Sequence, residues 1–395
     1  MLATARAIAA AQLPDGAIPW PDGHVDPWDH VECAMALSAC GLRREARRAY
    51  AWLARAQRAD GSWPRSFGPA PPAPPAPPAP PAPPAARASS ADPPVTPAPT
   101  AAPVPGSPVA AVGPTDRAAE SHHAAYVAVG AWHEVLVTGD ADFEAVMWPV
   151  VRKAIEWVLA LQFPRGEVAW ERDAAGRPGQ YALLSGSASI LQGLRCAIAL
   201  AERAGDPQPD WELAAGQLGH VIGGHPAAFA DKSRFAMDWY YPVLGGALRG
   251  PAAAARLAAG WDAFVVPGLG VRCVSDQPWV TVAETCELVL SLDACGQPAR
   301  AAELLAATAR LRHADGSYWT GWQFANEAHY PAERSSWTSA AVILAADALT
   351  GFSGGAAIFR DPPGASAPRA PRGGSSLQFD PRACGCSLAS ADPLR

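Results

Sequence analysis

The sequence lacks most of what would make a sheet, a membrane span or a nucleic-acid surface. No stretch alternates apolar and polar residues with β-branched enrichment, so strands have no obvious source. No apolar run reaches about 18 residues, the length a spanning helix needs. Charged residues make up only 17% and the net charge is −6, which excludes the basic face of a nucleic-acid binder. The start, Met1 to Gln12, has neither the basic opening nor the long apolar stretch of a secretion signal, so a cytoplasmic protein is expected. The eight cysteines form no framework. Cys33, Cys40, Cys196, Cys273, Cys286 and Cys295 sit mostly in apolar segments, where a buried thiol is ordinary. Cys384-x-Cys386 alone falls short of the four ligands of a structural zinc. Neither a metal nor a cofactor is expected, and nothing in the sequence fixes an oligomeric state.

What is present in excess is proline, and it is concentrated. Nineteen of the 42 prolines fall within residues 69–115. Each proline lacks an N–H and fixes φ, so this segment is expected to be an extended, disordered Pro/Ala-rich linker. Residues 353–395, rich in Gly, Pro, Ser and Ala, are expected to be a disordered tail. Residues 1–68 and 116–352 remain for one large domain.

Helical signals fill that remainder, with Ala, Leu, Glu and Arg at helical spacing. Twelve helices are predicted, at about 2–12, 28–40, 43–58, 117–138, 141–162, 183–204, 209–223, 237–249, 251–262, 279–295, 298–313 and 335–350. Short Gly-bearing connections such as Cys40-Gly41-Leu42 and Thr138-Gly139-Asp140 alternate with long loops. Several long loops repeat one pattern. It reads Gln57-Arg-Ala-Asp60-Gly61-Ser62-Trp63 in its cleanest form, and recurs at Gln12 to Trp20, at His313 to Trp319 and, degenerately, at Phe163 to Trp170. Asp-Gly makes a tight turn, and the Trp is expected to fold back on the helix end. Repetition of helix pairs predicts an all-α fold, an α/α toroid of six hairpins, with the long loops on one face around a central funnel. Trp20, Trp63 and Trp319 are expected to serve this repeat packing.

The 57–63 motif resembles the QW repeat of terpenoid cyclases and the corresponding turns of protein prenyltransferase β subunits, both α/α toroids. That resemblance implies an enzyme of prenyltransferase or terpenoid-cyclase type acting on an isoprenoid or lipid-linked substrate. The chemistry those families need is missing, however. There is no D-x-D-D or D-D-x-x-D cluster, and the D-x-C fragment Asp293-Ala-Cys295 falls at a helix end. A second resemblance is to six-hairpin glycosidases. It rests on Ala125 to Trp157, on Asp26-Pro-Trp28-Asp29 and on Ser336-Trp337-Thr338-Ser339-Ala340-Ala341. It implies a carbohydrate-active enzyme with paired carboxylates. A non-catalytic toroid that binds a glycan or lipid is the third reading.

Glycoside hydrolysis needs two carboxyl groups flanking the bond. Asp29 and Glu327 are the favoured pair, because ring closure brings the first and last hairpins together. Glu171, Asp173, Asp238 and Glu284 are further candidates. Trp28, His122, His123, Trp170, Trp239, Tyr240, Tyr241, Trp279, Trp322 and Trp337 flank the long loops and are candidate substrate contacts. The partner expected is a small molecule, whether isoprenoid, lipid-linked or carbohydrate, and not a nucleic acid.

Because residues 70–112 contribute little apolar surface, their deletion is expected to leave melting temperature and activity nearly unchanged. A thermal melt and an assay of the deletion variant check this.

Overall fold

The computed structural model describes residues 1–68 and 113–360. The rest of the Pro-rich segment, the rest of the tail and Cys384-x-Cys386 lie outside the described residues. Twelve α-helices alternate between an inner and an outer layer. The inner ring runs α2 (Pro27–Ala39), α4 (Ser121–Thr138), α6 (Leu184–Arg203), α8 (Ala236–Leu244), α10 (Val282–Ala294) and α12 (Ser336–Thr350). Each packs on the next, and α12 returns to α2, so the ring is closed. The outer helices α1 (Leu2–Ala11), α3 (Arg43–Ala56), α5 (Ala141–Leu159), α7 (Pro209–Gly224), α9 (Gly250–Phe264) and α11 (Pro298–Thr308) lie against it. The α/α toroid read from the sequence is therefore the fold.

The two layers follow from their sequences. In α2 all 13 residues are buried, polar ones included. In α3 one stripe (Ala46, Ala49, Tyr50, Trp52, Leu53) is buried and the remaining face carries its arginines. α6 is long and apolar enough to cross a membrane, but most of it is buried within the ring, as befits a core helix. Close approach inside the ring needs small residues. A Cβ on Gly193 of α6 would stand 2.5 Å from the Ala125 carbonyl oxygen of α4.

The repeated loop is a latch between outer helices. Gln57 Nε2 donates to Gly61 O at 3.0 Å within its own turn and to Val150 O of α5 at 2.9 Å. Gln12 does the same to Gly16 O and Glu45 O, and Gln162 to Gly166 O and Ala214 O. The glycine has positive φ in each copy, +96° at Gly61. The predicted Trp role holds only in the cleanest copy, where Trp63 is buried and its Nε1 donates to Leu53 O at 2.9 Å. Trp20 and Trp319 sit two and one residues later relative to their Asp, and both point elsewhere.

Five differences from the boundaries read in the sequence bear on the site and its surroundings. The long loops at the funnel end pair with one another as short strands. These are β1 (Ser66–Gly68) with β2 (Gly113–Asp116), β3 (Ala119–Glu120) with β4 (Glu171–Arg172), and a five-stranded antiparallel sheet of β5 (Val265–Val266), β6 (Gly270–Arg272), β7 (Trp279–Thr281), β8 (Gly321–Gln323) and β9 (Ala328–His329). Residues 113–115 thus belong to a strand rather than to the linker. Residues 117–120 and 279–281 are strand and loop before their helices rather than first turns, and α8 ends at Leu244, short of the predicted 249. The first eight residues of the predicted tail pack on the ring, with Phe359 buried and Arg360 paired to Asp293 at 2.6 Å. That pairing also accounts for the D-x-C fragment, whose Asp is a partner of arginine.

A test of the latch follows. Ala at Gly61 would place Cβ 2.2 Å from the Lys153 carbonyl oxygen, whereas Gly41, also at positive φ, has nothing within 4 Å. Gly41→Ala should cost about 1 kcal/mol, the strain of a left-handed non-glycine residue. Gly61→Ala should cost at least about 2 kcal/mol, because backbone must also move. Thermal melts of the two variants compare them directly.

Candidate active site

The inner helices begin at the funnel, and their first turns bring the candidate residues together. Asp26 caps α2, its Oδ1 accepting from Asp29 N at 2.8 Å, and Pro27 occupies the first helical position. This fixes Trp28 and Asp29 at the funnel mouth. On α4, Ser121 Oγ donates to Ala169 O at 2.7 Å, and β3 pairs with β4, so the loop carrying Trp170 is held against His122. Ser335 caps α12, accepting from Thr338 N at 3.0 Å, and so places Trp337. The result is a cavity of about 300 Å³. Its polar wall is Asp26, Asp29, Glu120, His122, His123, Ser185 and Ser189. Its apolar wall is Trp28, Trp170, Gly186, Met237, Tyr241 and Trp337.

Asp29 is the electrostatic centre. It is 8% exposed, and its Oδ2 accepts from Trp20 Nε1 at 2.6 Å. Burial, with the charge of Asp26 next and then of Glu32, holds its carboxyl well above the usual range, against the Trp20 bond. Such a shift favours the protonated form over the charged one. Trp20 also lies 6.0 Å from Trp337, centroid to centroid, so it belongs to the site rather than to repeat packing.

The opposite polar wall is a charge clamp. Glu120 Oε2 lies 3.5 Å from His122 Nδ1 and 3.4 Å from His123 Nε2, while Arg65 Nε reaches Glu120 Oε1 at 2.5 Å. Burial raises the Glu120 carboxyl, against His123 and Arg65. His122 stacks on Trp170 at 4.3 Å, and burial, reinforced by His123 and Arg65, holds its imidazole well below the usual value and so neutral. Glu120, His122 and His123 place ligand atoms within 4.8 Å of one another, the one such grouping among the described residues. A dication there would stand beside the Arg65 guanidinium, whose charge opposes it. The cluster therefore fits neutral hydrogen-bonding groups better than a metal ion.

The remaining candidates separate. Glu171 sits at the cavity rim in contact with Arg65. Asp173 lies outside the cavity, paired to Arg177 at 2.8 Å. Asp238 is buried but committed, accepting from Ser185 N at 3.2 Å at the start of α6. Trp239 faces outward, stacked on Phe264 at 5.3 Å with its Nε1 on Arg256 O. Trp279 and Trp322 belong to the five-stranded sheet, against Tyr330 and His329. Tyr240 is fully buried below the cavity, its hydroxyl on Glu287. Glu284 is buried in the first turn of α10, where it bonds the Cys273 thiol. The favoured pair is not brought together. Glu327 is exposed at the β8–β9 turn, at φ 50°, and does not line the cavity. Ring closure does bring α12 beside α2, but the loop before α12 folds into the sheet and carries Glu327 away. The cavity lining also includes Asp26, Glu120, Ser185, Gly186, Ser189 and Met237, which are not among the candidates drawn from the sequence.

The sequence is 48% identical over 387 residues to an MMP endo-(1,4)-3-O-methyl-α-D-mannosidase of Mycolicibacterium hassiacum, covering 98% of this chain and 93% of that protein. The chain belongs to the family of that mannosidase. No protein-family model matches the sequence. Among solved structures, a glycosidase in complex with glucose superposes with a TM-score of 0.62 at 16% identity, covering 89% of this chain and 96% of that one. A D-mannose isomerase gives 0.59 at 10% identity, over 87% and 95%. A rhamnosidase from Klebsiella oxytoca with rhamnose bound gives 0.55 at 14%, over 87% and 63%. These likenesses concern the fold. The family overturns the prenyltransferase and terpenoid-cyclase reading and with it the isoprenoid substrate. The physical reason lies in the latch. The QW-like glutamine ties outer helices together, and a toroid of any chemistry can use that.

Asp29→Asn separates chemistry from stability. A carboxyl raised on folding contributes stability that is present below the ordinary carboxylate range and is lost as pH rises through the folded value. Asparagine can still accept from Trp20 but does not ionise. The variant should match or exceed the wild type in melting temperature at pH 8 and lose that advantage toward pH 4. Melts across pH 4 to 8 measure the crossover.

Proposed function

We propose that this protein is an endo-acting glycoside hydrolase that cleaves internal (1,4) linkages of a 3-O-methyl-α-D-mannose polymer. The observation that carries the reading is the buried Asp29, its carboxyl raised well above the usual range, in an aromatic-walled cavity, in a chain alike along 98% of its length to a mannosidase of that specificity. The apolar wall of Trp28, Trp170, Met237 and Trp337 suits a sugar whose O-methyl group has replaced a hydroxyl.

In this mechanism Asp29 gives its proton to the glycosidic oxygen as that bond breaks. Its raised pKa is the tuning a general acid requires. Asp26 and Glu120 supply negative charge around the oxocarbenium-like sugar that develops. For the second carboxyl we propose Glu284, which lies at the same funnel end without lining the described cavity. Glu171 and Glu120 carry Arg65, Asp173 carries Arg177 and Asp238 caps a helix, whereas Glu284 is buried at the funnel end of α10 with a thiol for its partner. It takes the proton of the water that attacks the anomeric carbon.

Incubation with (1,4)-linked 3-O-methyl-α-mannose oligosaccharides, followed by mass detection, should yield shorter oligosaccharides cut internally, each heavier by one water across the bond. Asp29→Asn and Glu284→Gln should each lower kcat by at least about 100-fold, the scale of general acid–base catalysis. Full activity in either folded variant removes that residue from the mechanism.

A further inference from the structure

Beneath the cavity lie two buried glutamates that do not line it and that the proposed mechanism does not use. Glu32, one turn along α2 from Asp29, is 2% exposed, and Glu287 of α10 is 1% exposed. Glu32 Oε1 accepts from the Tyr126 hydroxyl of α4 at 2.8 Å, and its Oε2 accepts from Trp337 Nε1 of α12 at 2.9 Å. Tyr126 in turn stacks on Trp28 at 4.5 Å. Glu287 Oε1 accepts from the Tyr241 hydroxyl of α8 at 2.6 Å, and its other oxygen accepts from Tyr240. Two carboxyl groups, on α2 and α10, thus bond side chains of α4, α8 and α12, and so tie together five of the six inner helices. Three of the cavity's aromatic walls, Trp28, Trp337 and Tyr241, are fixed from below, one of them through Tyr126.

We infer that Glu32 and Glu287 are positioning residues that set the aromatic walls of the sugar site, Glu32 through Trp337 and Tyr126 and Glu287 through Tyr241. The inference rests on the proposed glycosidase reading only for what those walls hold. Indole and phenol rings lining the cavity stack on a sugar only if their planes are fixed, and an indole N–H buried without an acceptor would rotate or admit water. Hydrogen bonding, rather than charge, is the property required. Burial pushes Glu32 up to about 7, and burial together with the charge of Glu32 raises Glu287 further, so the two cannot both be ionised cheaply near neutrality. A partly protonated glutamate still offers lone pairs to both of its donors.

Glu32→Met and Glu32→Gln make the test. Methionine fills the volume but accepts nothing useful from an indole. Glutamine accepts from Trp337 through its amide oxygen and donates to the Tyr126 oxygen through its NH2. Glu32→Met should raise KM for methylmannose oligosaccharides about ten-fold or more with kcat within about two-fold, the pattern of lost binding rather than lost chemistry. Glu32→Gln should stay near the wild type. Should Glu32→Met not fold, Tyr126→Phe, which removes one hydroxyl, should raise KM in the same sense. A second readout needs no substrate. In protein labelled with 5-fluorotryptophan, the 19F resonance assigned to Trp337 by Trp337→Phe should move in Glu32→Met and return in Glu32→Gln, while that of Trp63 stays. An unmoved Trp337 resonance and unchanged KM in a folded Glu32→Met protein overturn the inference. So does a Glu32→Gln variant as impaired as Glu32→Met, which would assign the role to charge. A wild type that cleaves no methylmannoside would sink the proposed function, and the 19F comparison would still decide the positioning role.

Discussion

Desolvation at the funnel ends of the inner helices is the constraint on which the site depends. Six helices packed into a closed ring exclude water from their shared axis, yet their N-caps and first two turns carry Asp26, Asp29, Glu32, Glu120, Glu284 and Glu287. A low-dielectric setting penalises charge, so each carboxyl must find donors, find a cation or keep its proton. The three outcomes all occur. Glu120 lies against Arg65, Glu287 takes two tyrosine hydroxyls, and Asp29, with one indole N–H, is pushed toward its protonated form. Differences in partner supply thus set chemically similar groups apart.

That sorting explains what could be read from the sequence. The toroid was legible because its signals are local and repeated. Asp-Gly turns, Gly-ended helices and Gln at a fixed offset each reappear along the chain, and each copy meets the next. Asp29 was legible because it follows Asp26-Pro27, an N-terminal signature that places it one turn into an inner helix. Glu327 was misplaced because its loop forms strands too short to leave a pattern, two or three residues each. Trp20 was assigned to packing because its spacing to the Asp-Gly turn looked like the others, and only the ring brings it to Asp29. Glu287 carried no signal in the sequence, and Glu32 stood out only as a carboxylate near the start of an inner helix, since the meaning of both lies in donors from α4, α8 and α12. The reaction was illegible in the repeat, because the repeat concerns assembly.

The comparison with solved structures reinforces that division. Glycosidases and a D-mannose isomerase share the ring at identities of 10–16%. What differs between such proteins must lie in the first turns and the rim loops, where the ring places few demands on residue identity. In this chain the rim loops have become short hairpins, which give each first turn a fixed backbone neighbour without adding a layer to the fold.

One of those hairpins has a consequence for how the chain can grow. Gly68 is paired with Gly113 across β1 and β2, so the two ends of the intervening 44 residues are held side by side by the folded ring itself. The entropy of joining two ends already fixed in space rises only with the logarithm of the connecting length, about 0.6 kcal/mol for each doubling. With both ends held by the β1–β2 pairing, a change in the length of the connecting segment alters the closure entropy by little, so the junction fixes where the ring's two halves meet whatever the number of residues between them.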